Sequence, residues 1–510
     1  MLLLGDLVRR NVAVRPDKVA VIFEDEQLTF RQLNSMVNQL ANALTNLGVK
    51  RGDRIGILLT NSHLYEVSYF ASCKIGAIFV PICFWYKEPE IEYVLDKAGV
   101  SILILGQDFI SPVKNIKSKT VKHYIVIDGD VPADMINFEQ LVKKFPDDEP
   151  NVFVDENDPH LILFTSGTTG VPKGAVISQR NYFLHTGVGV HVLNQTENSV
   201  LMCPYPLFHM GGIIQLLGNV YVGMTLVIIS TPPTPKKMLE AIQNNRVTHF
   251  VAVPTMWRRL LEYPDFDNYD VSSLKIAMGG SDAMPKDLLE EVLKRTPAAS
   301  PQTYGLSEGG CLTFLSPEDS ARKIGSSGKL HCQSEIRLID DEGKDVPQGE
   351  VGEVICRGEH RMSYYWDMPE ETNKTIDADG WLHTGDLARY DEEGFIYIVG
   401  RKKDMIISGG QNIYPAEIEK ALLKHPKIAE VAVVGVPDKE WNEVALAVIV
   451  LQEGESMTEK EVIDYIKENL ASYNKPRYVK FVKSLPRTAA TGKLQKAELR
   501  KQYTKELKLA

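Results

Sequence analysis

The chain has 510 residues, 44% of them apolar and 24% charged, with a formal net charge of −10 at pH 7. That length exceeds what one hydrophobic core serves, so two or more domains are expected, and the composition excludes a disordered or fibrous chain. The acidic balance excludes a nucleic-acid partner bound by broad phosphate neutralisation.

The N-terminal MLLLGDLVRR places only three consecutive leucines before Asp6 and Arg9, too few for a signal-peptide apolar region. Nor does any apolar run reach the length of a membrane span, so no transmembrane segment and a cytoplasmic location are expected. The six cysteines (Cys73, Cys83, Cys203, Cys311, Cys332, Cys356) show neither a C-x-x-C pair nor zinc spacing, and read as thiols of a reducing compartment.

In chain order, LTFRQLNSMVNQLANALTNLG sets Leu33, Val37, Leu40 and Leu44 on one helical stripe, with Thr29 as N-cap and Gly48 as stop. RIGILL (54–59) reads as a buried strand, YEVSYFASCKIG as a helix, and AIFVPIC as the next strand. SILILG and HYIVID continue the strands. Helix-like MLEAIQNN, strand-like VTHFVAV and helix-like KDLLEEVLKR repeat the alternation between about 240 and 300, which points to sheets covered by helices. Short strands and turns dominate from about 333 to 400. After a break near GRKKDM (400–405), YPAEIEKALLKHP and EKEVIDYIKENL are helical while VAVVGV and ALAVIVL are strands, making a compact α+β module.

The stretch TSGTTGVPKG (165–174) follows the apolar LILF. Its glycines allow successive N–H groups to converge on an anion, its serine and threonines add hydroxyls, and Lys173 adds a point charge. It is not a Walker loop, because Val-Pro separates Lys173 from Gly170 and glycine follows the lysine. Alone, it leaves an anion cradle and a mobile linker both open, the cradle favoured.

TSGTTGVPKG resembles the phosphate loop of the adenylate-forming superfamily, which includes acyl-CoA synthetases, peptide-synthetase adenylation domains and firefly luciferases. YGLSE (304–308), GWLHTGD (380–386), GRKKDMIISGGQNIYPAEIE (400–419) and PRTAATGK (486–493) follow in the family's order, and the resemblance covers essentially the whole chain. It implies a mixed α/β fold. Residues 1–400 would form a large N-terminal domain of helix-covered sheets with a β-rich subdomain at about 333–400, residues 401–403 a hinge, and residues 404–510 a small mobile C-terminal α+β domain.

The resemblance also implies roles. Thr165, Ser166, Gly167, Thr168, Thr169, Gly170 and Lys173 would hold the ATP phosphates. Tyr304 would lie against adenine, with Gly280 and Gly305 beside it, and Ser307 would contact phosphate. Glu308, with Thr165, would serve Mg²⁺, an ion satisfied by one carboxylate together with phosphate oxygens and water. Asp386 and Arg401 would contact the ribose hydroxyls. Lys493, in a loop one residue longer than the family's, would bridge the attacking carboxylate and the α-phosphate. Trp381 and His383 read as packing residues.

In PLFHMGG, His209 stands where amino-acid-activating members carry aspartate, so the acid is expected to lack an α-amino group. His209 resembles the family's aromatic gate, and Met210, Gly211, Met278, Gly279, Gly305 and Gly310 would line an apolar acyl pocket with it. Ser408, Gly409, Gly410 and Trp441 would face CoA, and Lys403 matches the hinge position. The implied function is an ATP-dependent carboxylate–CoA ligase, forming acyl-AMP and then a thioester, with ATP, Mg²⁺ and coenzyme A as cofactors. Its partners would be a small carboxylic acid and CoA; a homodimer stays open. The end of the chain at 510, with no carrier domain and no Ser-Lys-Leu signal, weighs against a multimodular synthetase and a luciferase. Two alternatives stay open: a ligase loading a carrier protein, and a non-catalytic nucleotide-binding relative.

Overall fold

The computed structural model describes residues 2–165, 172–280, 284–331, 333–409, 411–487 and 494–507. The fold is mixed α/β, and its contacts divide it into two units, one of residues 1–336 and 356–382 and one of residues 337–355 and 383–510. Part of the β-rich segment therefore clusters with the C-terminal residues.

The first unit is built on two large sheets. In one, the order is Tyr364–Tyr365, Lys173–Ser178, Pro159–Thr165, Ile78–Pro81, Arg54–Leu58, Val100–Gly106, His123–Ile127, Ile136–Asn137. Its middle strands run parallel and are buried on both faces, which is why they read as unbroken apolar runs rather than alternating ones. The helix Phe30–Asn46 covers this core with Leu33, Val37, Leu40 and Leu44, all fully buried. Thr29 caps it as expected, accepting from the Gln32 N–H while the Gln32 side chain returns to the Thr29 N–H.

The second large sheet runs Ile276–Gly279, His249–Ala252, Val200–Cys203, Thr225–Ile228, Val19–Phe23, Glu26–Thr29, parallel up to its last hairpin. A third, smaller sheet is the hairpin Gln302–Leu306 and Gly310–Leu315 with Lys329–Leu330 on its edge. Residues 307–309 form its tight turn, so Ser307 and Glu308 are presented at the tip.

One strand departs from the sequence reading. Tyr364–Tyr365 does not stay within the β-rich segment but pairs antiparallel with Lys173–Ser178, Tyr365 opposite Ala175. The Ser363 and Trp366 N–H groups reach the Val176 and Gly174 carbonyls at 2.8 Å, so the neighbouring edge is satisfied as well.

A four-stranded sheet, most of whose residues fall in the second unit, is ordered Glu335–Ile339, Gly352–Arg357, Leu382–Tyr390, Ile396–Arg401. A five-stranded sheet centres on the long hairpin Ile428–Asp438 and Asn442–Leu451. Alternation along that hairpin serves two cores. Val431, Val433, Ala445, Ala447 and Ile449 pack with the helices Pro415–Leu422 and Glu459–Asn469, whereas Ala432, Val434, Val436, Leu446 and Val448 pack with the helix Lys496–Glu506. Among the described residues no helix is long and apolar enough to cross a membrane.

Candidate active site

Glu308 is the centre of the first unit's polar cluster. Its backbone carbonyl accepts from the Met362 N–H at 2.7 Å, which anchors the turn. Its Oε1 accepts two hydroxyl protons, from Thr165 at 3.0 Å and from Tyr365 at 3.1 Å. Oε2 accepts no hydrogen bond among the described residues. Two donors on one oxygen fix the carboxylate's plane without consuming its charge.

Lys173, opposite Thr165 in the strand register, extends the cluster. Its ammonium bonds Glu371 at 2.5 Å and lies 5.2 Å from the Tyr365 ring centroid. Glu371 also receives Lys374 at 2.8 Å. Hydrogen bonding to these two lysines, Lys173 first, holds its carboxyl down at about 2. Burial, followed by the neighbouring Glu308 charge, pushes the Tyr365 phenol well above its ordinary value, so it stays a proton donor at any working pH.

Gly305 must be glycine for a local reason: a Cβ there would lie 2.2 Å from the Gly310 carbonyl across the hairpin. Tyr304 sits opposite Thr313, and a register shift follows it before Gly305 pairs with Cys311. Met278 and Gly279 end the strand Ile276–Gly279, where the Trp257 indole donates to the Met278 carbonyl at 3.0 Å and the Gly280 N–H to the Ala252 carbonyl at 3.0 Å.

His209 is the N-cap of the helix Met210–Val222, and its Nδ1 accepts from the Gly211 N–H at 3.3 Å. That bond fixes the tautomer, leaving the proton of the neutral ring on Nε2. Beneath it, fully buried Asn61 pins the loop before the helix. Its amide donates to the Tyr205 carbonyl at 2.8 Å, and its oxygen accepts from the Leu207 N–H at 2.9 Å.

In the second unit, Asp386 and Arg401 face each other across paired strands, with Arg401 Nε 3.1 Å from Asp386 Oδ1. The Thr384 hydroxyl accepts from the Asp386 N–H at 3.0 Å. His383 lies 3.6 Å from Glu353, which also takes Lys402 at 3.0 Å. Lys403 falls in the single helical turn Lys402–Asp404. Ser408 and Gly409 lie at a hairpin end beside Trp441: the Gly409 N–H donates to the Trp441 carbonyl at 2.9 Å, and the indole, 42% exposed, covers the Gly409 backbone.

The residues assigned from the sequence thus fall into separate groups. Thr165, Lys173, Tyr304, Gly305, Ser307 and Glu308 gather around the hairpin, the ribose pair Asp386 and Arg401 meets, and Ser408, Gly409 and Trp441 meet. Ser166, Gly167, Thr168, Thr169, Gly170, Gly410 and Lys493 lie outside the described residues. Sequence reasoning missed Tyr365, Glu371 and Asn61. The run YYWDMPEET, aromatic residues leading into proline and paired acids, was the available signal for the first two; Asn61 had none.

A family model described as "AMP-binding enzyme" matches residues 8–366, and one described as its C-terminal domain matches residues 417–493. The chain belongs to the AMP-binding enzyme family. As a member of it, the chain is similar along its length to CoA ligases. It is 33% identical to the indoleacetate–CoA ligase of Aromatoleum aromaticum (98% of this chain, 97% of that one) and 35% identical to a feruloyl-CoA synthase of an Amycolatopsis species (98% and 99%). Among solved structures, the anthranilate CoA ligase AuaEII in complex with anthranoyl-AMP superimposes with a TM-score of 0.91 at 32% identity, covering 100% of this chain and 98% of that one. The mixed α/β fold and the acid–thiol ligase reading of the motifs are borne out, with ATP and CoA as substrates.

Proposed function

We propose that this AMP-binding enzyme activates an apolar carboxylic acid lacking an α-amino group, using the residues assigned from its motifs. A carboxylate oxygen attacks the α-phosphorus of ATP, the bond to the β-phosphate oxygen breaks, and pyrophosphate leaves. The CoA sulfur then attacks the acyl carbon, the bond to the AMP oxygen breaks, and the thiol proton passes to solvent. The first step gathers negative charge on phosphate oxygens, so positioned donors and cations matter more than a protein nucleophile.

The arrangement around Glu308 carries this reading. Two hydroxyls orient its Oε1 while Oε2 remains available, and Lys173 stands beside them. Such a set fits Mg²⁺, which takes one or two carboxylates and completes its shell with phosphate and water. Among the described residues no group of three or more His, Cys, Asp or Glu could hold a metal on its own. When bound, that ion would neutralise phosphate charge.

Asp386 and Arg401 take the ribose, Tyr304 the adenine, and His209 with Met210, Gly211, Met278, Gly279, Gly305 and Gly310 the acyl group. Lys493 supplies the cation at the α-phosphate, and Ser408, Gly409 and Trp441 face CoA. Lys403, which falls between the two segments matched by the family models, is the pivot about which residues 404–510 reorient between half-reactions. The expected location is the cytoplasm. The test is exchange of labelled pyrophosphate into ATP across a panel of aryl, fatty and cyclic acids, with Lys493→Ala beside the wild type. Exchange with some acid is expected, lost in the variant while thioester formation from supplied acyl-AMP persists. No exchange with any acid, or equal loss of both half-reactions, overturns the reading.

A further inference from the structure

The stretch 165–174 leaves and re-enters the large sheet through two antiparallel strands, with Thr165 opposite Lys173 and Phe164 opposite Gly174. Both of its described ends meet one side chain that no motif singled out. Tyr93, half-buried on the helix Glu88–Ala98, donates its hydroxyl to the Pro172 carbonyl at 3.1 Å. Its ring meets Phe164 edge-on, with the centroids 6.3 Å apart. Phe164 in turn lies over Gly174, where a Cβ would stand 3.3 Å from its ring. Tyr93 therefore touches the strand that leads into the stretch and the residue that leads out of it.

The helix holds that side chain still. Ile91, Val94, Leu95 and Ala98 are buried in one core with Leu58, Val80 and Leu103 of the parallel strands. Tyr93 and Lys97, four residues apart, share the neighbouring face. Lys97 donates to the Asp367 carboxylate at 2.7 Å and to the Asp367 carbonyl at 3.1 Å. Beside Asp367, the Trp366 N–H reaches the Gly174 carbonyl at 2.8 Å. One helix face thus braces the backbone on both sides of Lys173, through Tyr93 at Pro172 and through residues 366–367 at Gly174. Pro172 stands one residue before the strand Lys173–Ser178, and the phenol supplies a donor to its carbonyl there.

We infer that Tyr93 is a positioning residue for the phosphate end of ATP, acting through Pro172 on Lys173. The inference rests on the proposal that Thr165 and Lys173 hold the ATP phosphates. Lys173 already has one side-chain tether, Glu371, and Tyr93 adds a tether on the backbone from which its side chain springs. Removing the phenol hydroxyl releases the Pro172 carbonyl, and with it the direction in which the ammonium is presented. The grip on the β- and γ-phosphates then weakens, while the contacts to adenine and ribose stay as they are. A neutral hydrogen bond of this kind shifts an equilibrium about 3- to 10-fold.

The experiment is titration calorimetry of ATP with Mg²⁺, and separately of AMP, into the full chain, for the wild type, Tyr93→Phe and Tyr93→Leu. It needs no knowledge of the acid, and AMP lacks the two phosphates in question. Tyr93→Phe keeps the ring against Phe164 and removes only the hydroxyl, so the Kd for ATP should rise about 3- to 10-fold. The Kd for AMP should stay within about 2-fold, as for a site that shares no partner with the change. Tyr93→Leu, which also loses the edge contact with Phe164, should weaken ATP at least as much. Unchanged ATP affinity in Tyr93→Phe, equal weakening of ATP and AMP, or a loss confined to Tyr93→Leu overturns the inference and leaves the ligase reading standing. A wild type that binds neither nucleotide overturns both.

Discussion

Tyr365→Phe isolates one hydrogen bond of Glu308, the carboxylate proposed to hold Mg²⁺. The ring is 6% exposed and packs in the core, so phenylalanine keeps its volume and contacts while removing only the hydroxyl that donates to Glu308 at 3.1 Å. A hydrogen bond to a charged group contributes about 1.5–3 kcal/mol. Because Thr165 continues to hold the same oxygen, the lower end applies, and the free Mg²⁺ needed for half-maximal pyrophosphate exchange should rise about 10-fold. Titrating Mg²⁺ at saturating ATP and acid for Tyr365→Phe, Thr165→Val and the double variant reads this directly. The double variant should lose more than the sum of the singles, because in each single the remaining hydroxyl still holds the carboxylate. An unchanged Mg²⁺ midpoint in both singles would refute the idea that these donors orient Glu308 for the ion.

Glu371→Gln should raise the KM for ATP several-fold with little change in kcat, because Lys173 loses the partner that holds it over Tyr365; a lowered KM would contradict that positioning role. Asp386→Asn should weaken ATP binding about 10-fold through loss of the charged acceptor that pairs with Arg401, checked by ATP titration of the exchange rate and contradicted by an unaltered KM. Glu66 is fully buried, neither of its oxygens has a partner among the described residues, and burial raises its carboxyl from 4.5 to about 8. Below about pH 4.5 both states hold the proton. Between there and about 8 only the unfolded chain ionises, so stability falls by about 1.4 kcal/mol per pH unit, and above 8 the loss is complete. Glu66→Gln should flatten that part of the curve of melting temperature against pH. Identical slopes in variant and wild type would contradict the assignment.

Local signals made the scaffold legible. Thr29 marked an N-cap, the stripe of Leu33, Val37, Leu40 and Leu44 wrote the buried helix face, and the parallel strands announced themselves as apolar runs. Glu308 and Thr165 meet across 143 residues, a separation bridged only by motifs in a familiar order. Tyr365 and Glu371 escaped because their meaning lies in partners supplied by the fold. Tyr365 is aimed by pairing with Ala175, and Glu371 meets Lys173 across 198 residues. A polar side chain on an apolar helix face looks the same in the sequence whether its bonds are complete or not.

The central claim is that a carboxylate attacks the α-phosphorus of ATP. It is tested most directly by supplying an acid labelled with ¹⁸O in both carboxylate oxygens, together with ATP and CoA, and weighing the products. The account predicts AMP carrying one heavy oxygen and a thioester retaining the other. Unlabelled AMP, or ADP formed together with heavy phosphate, would contradict it.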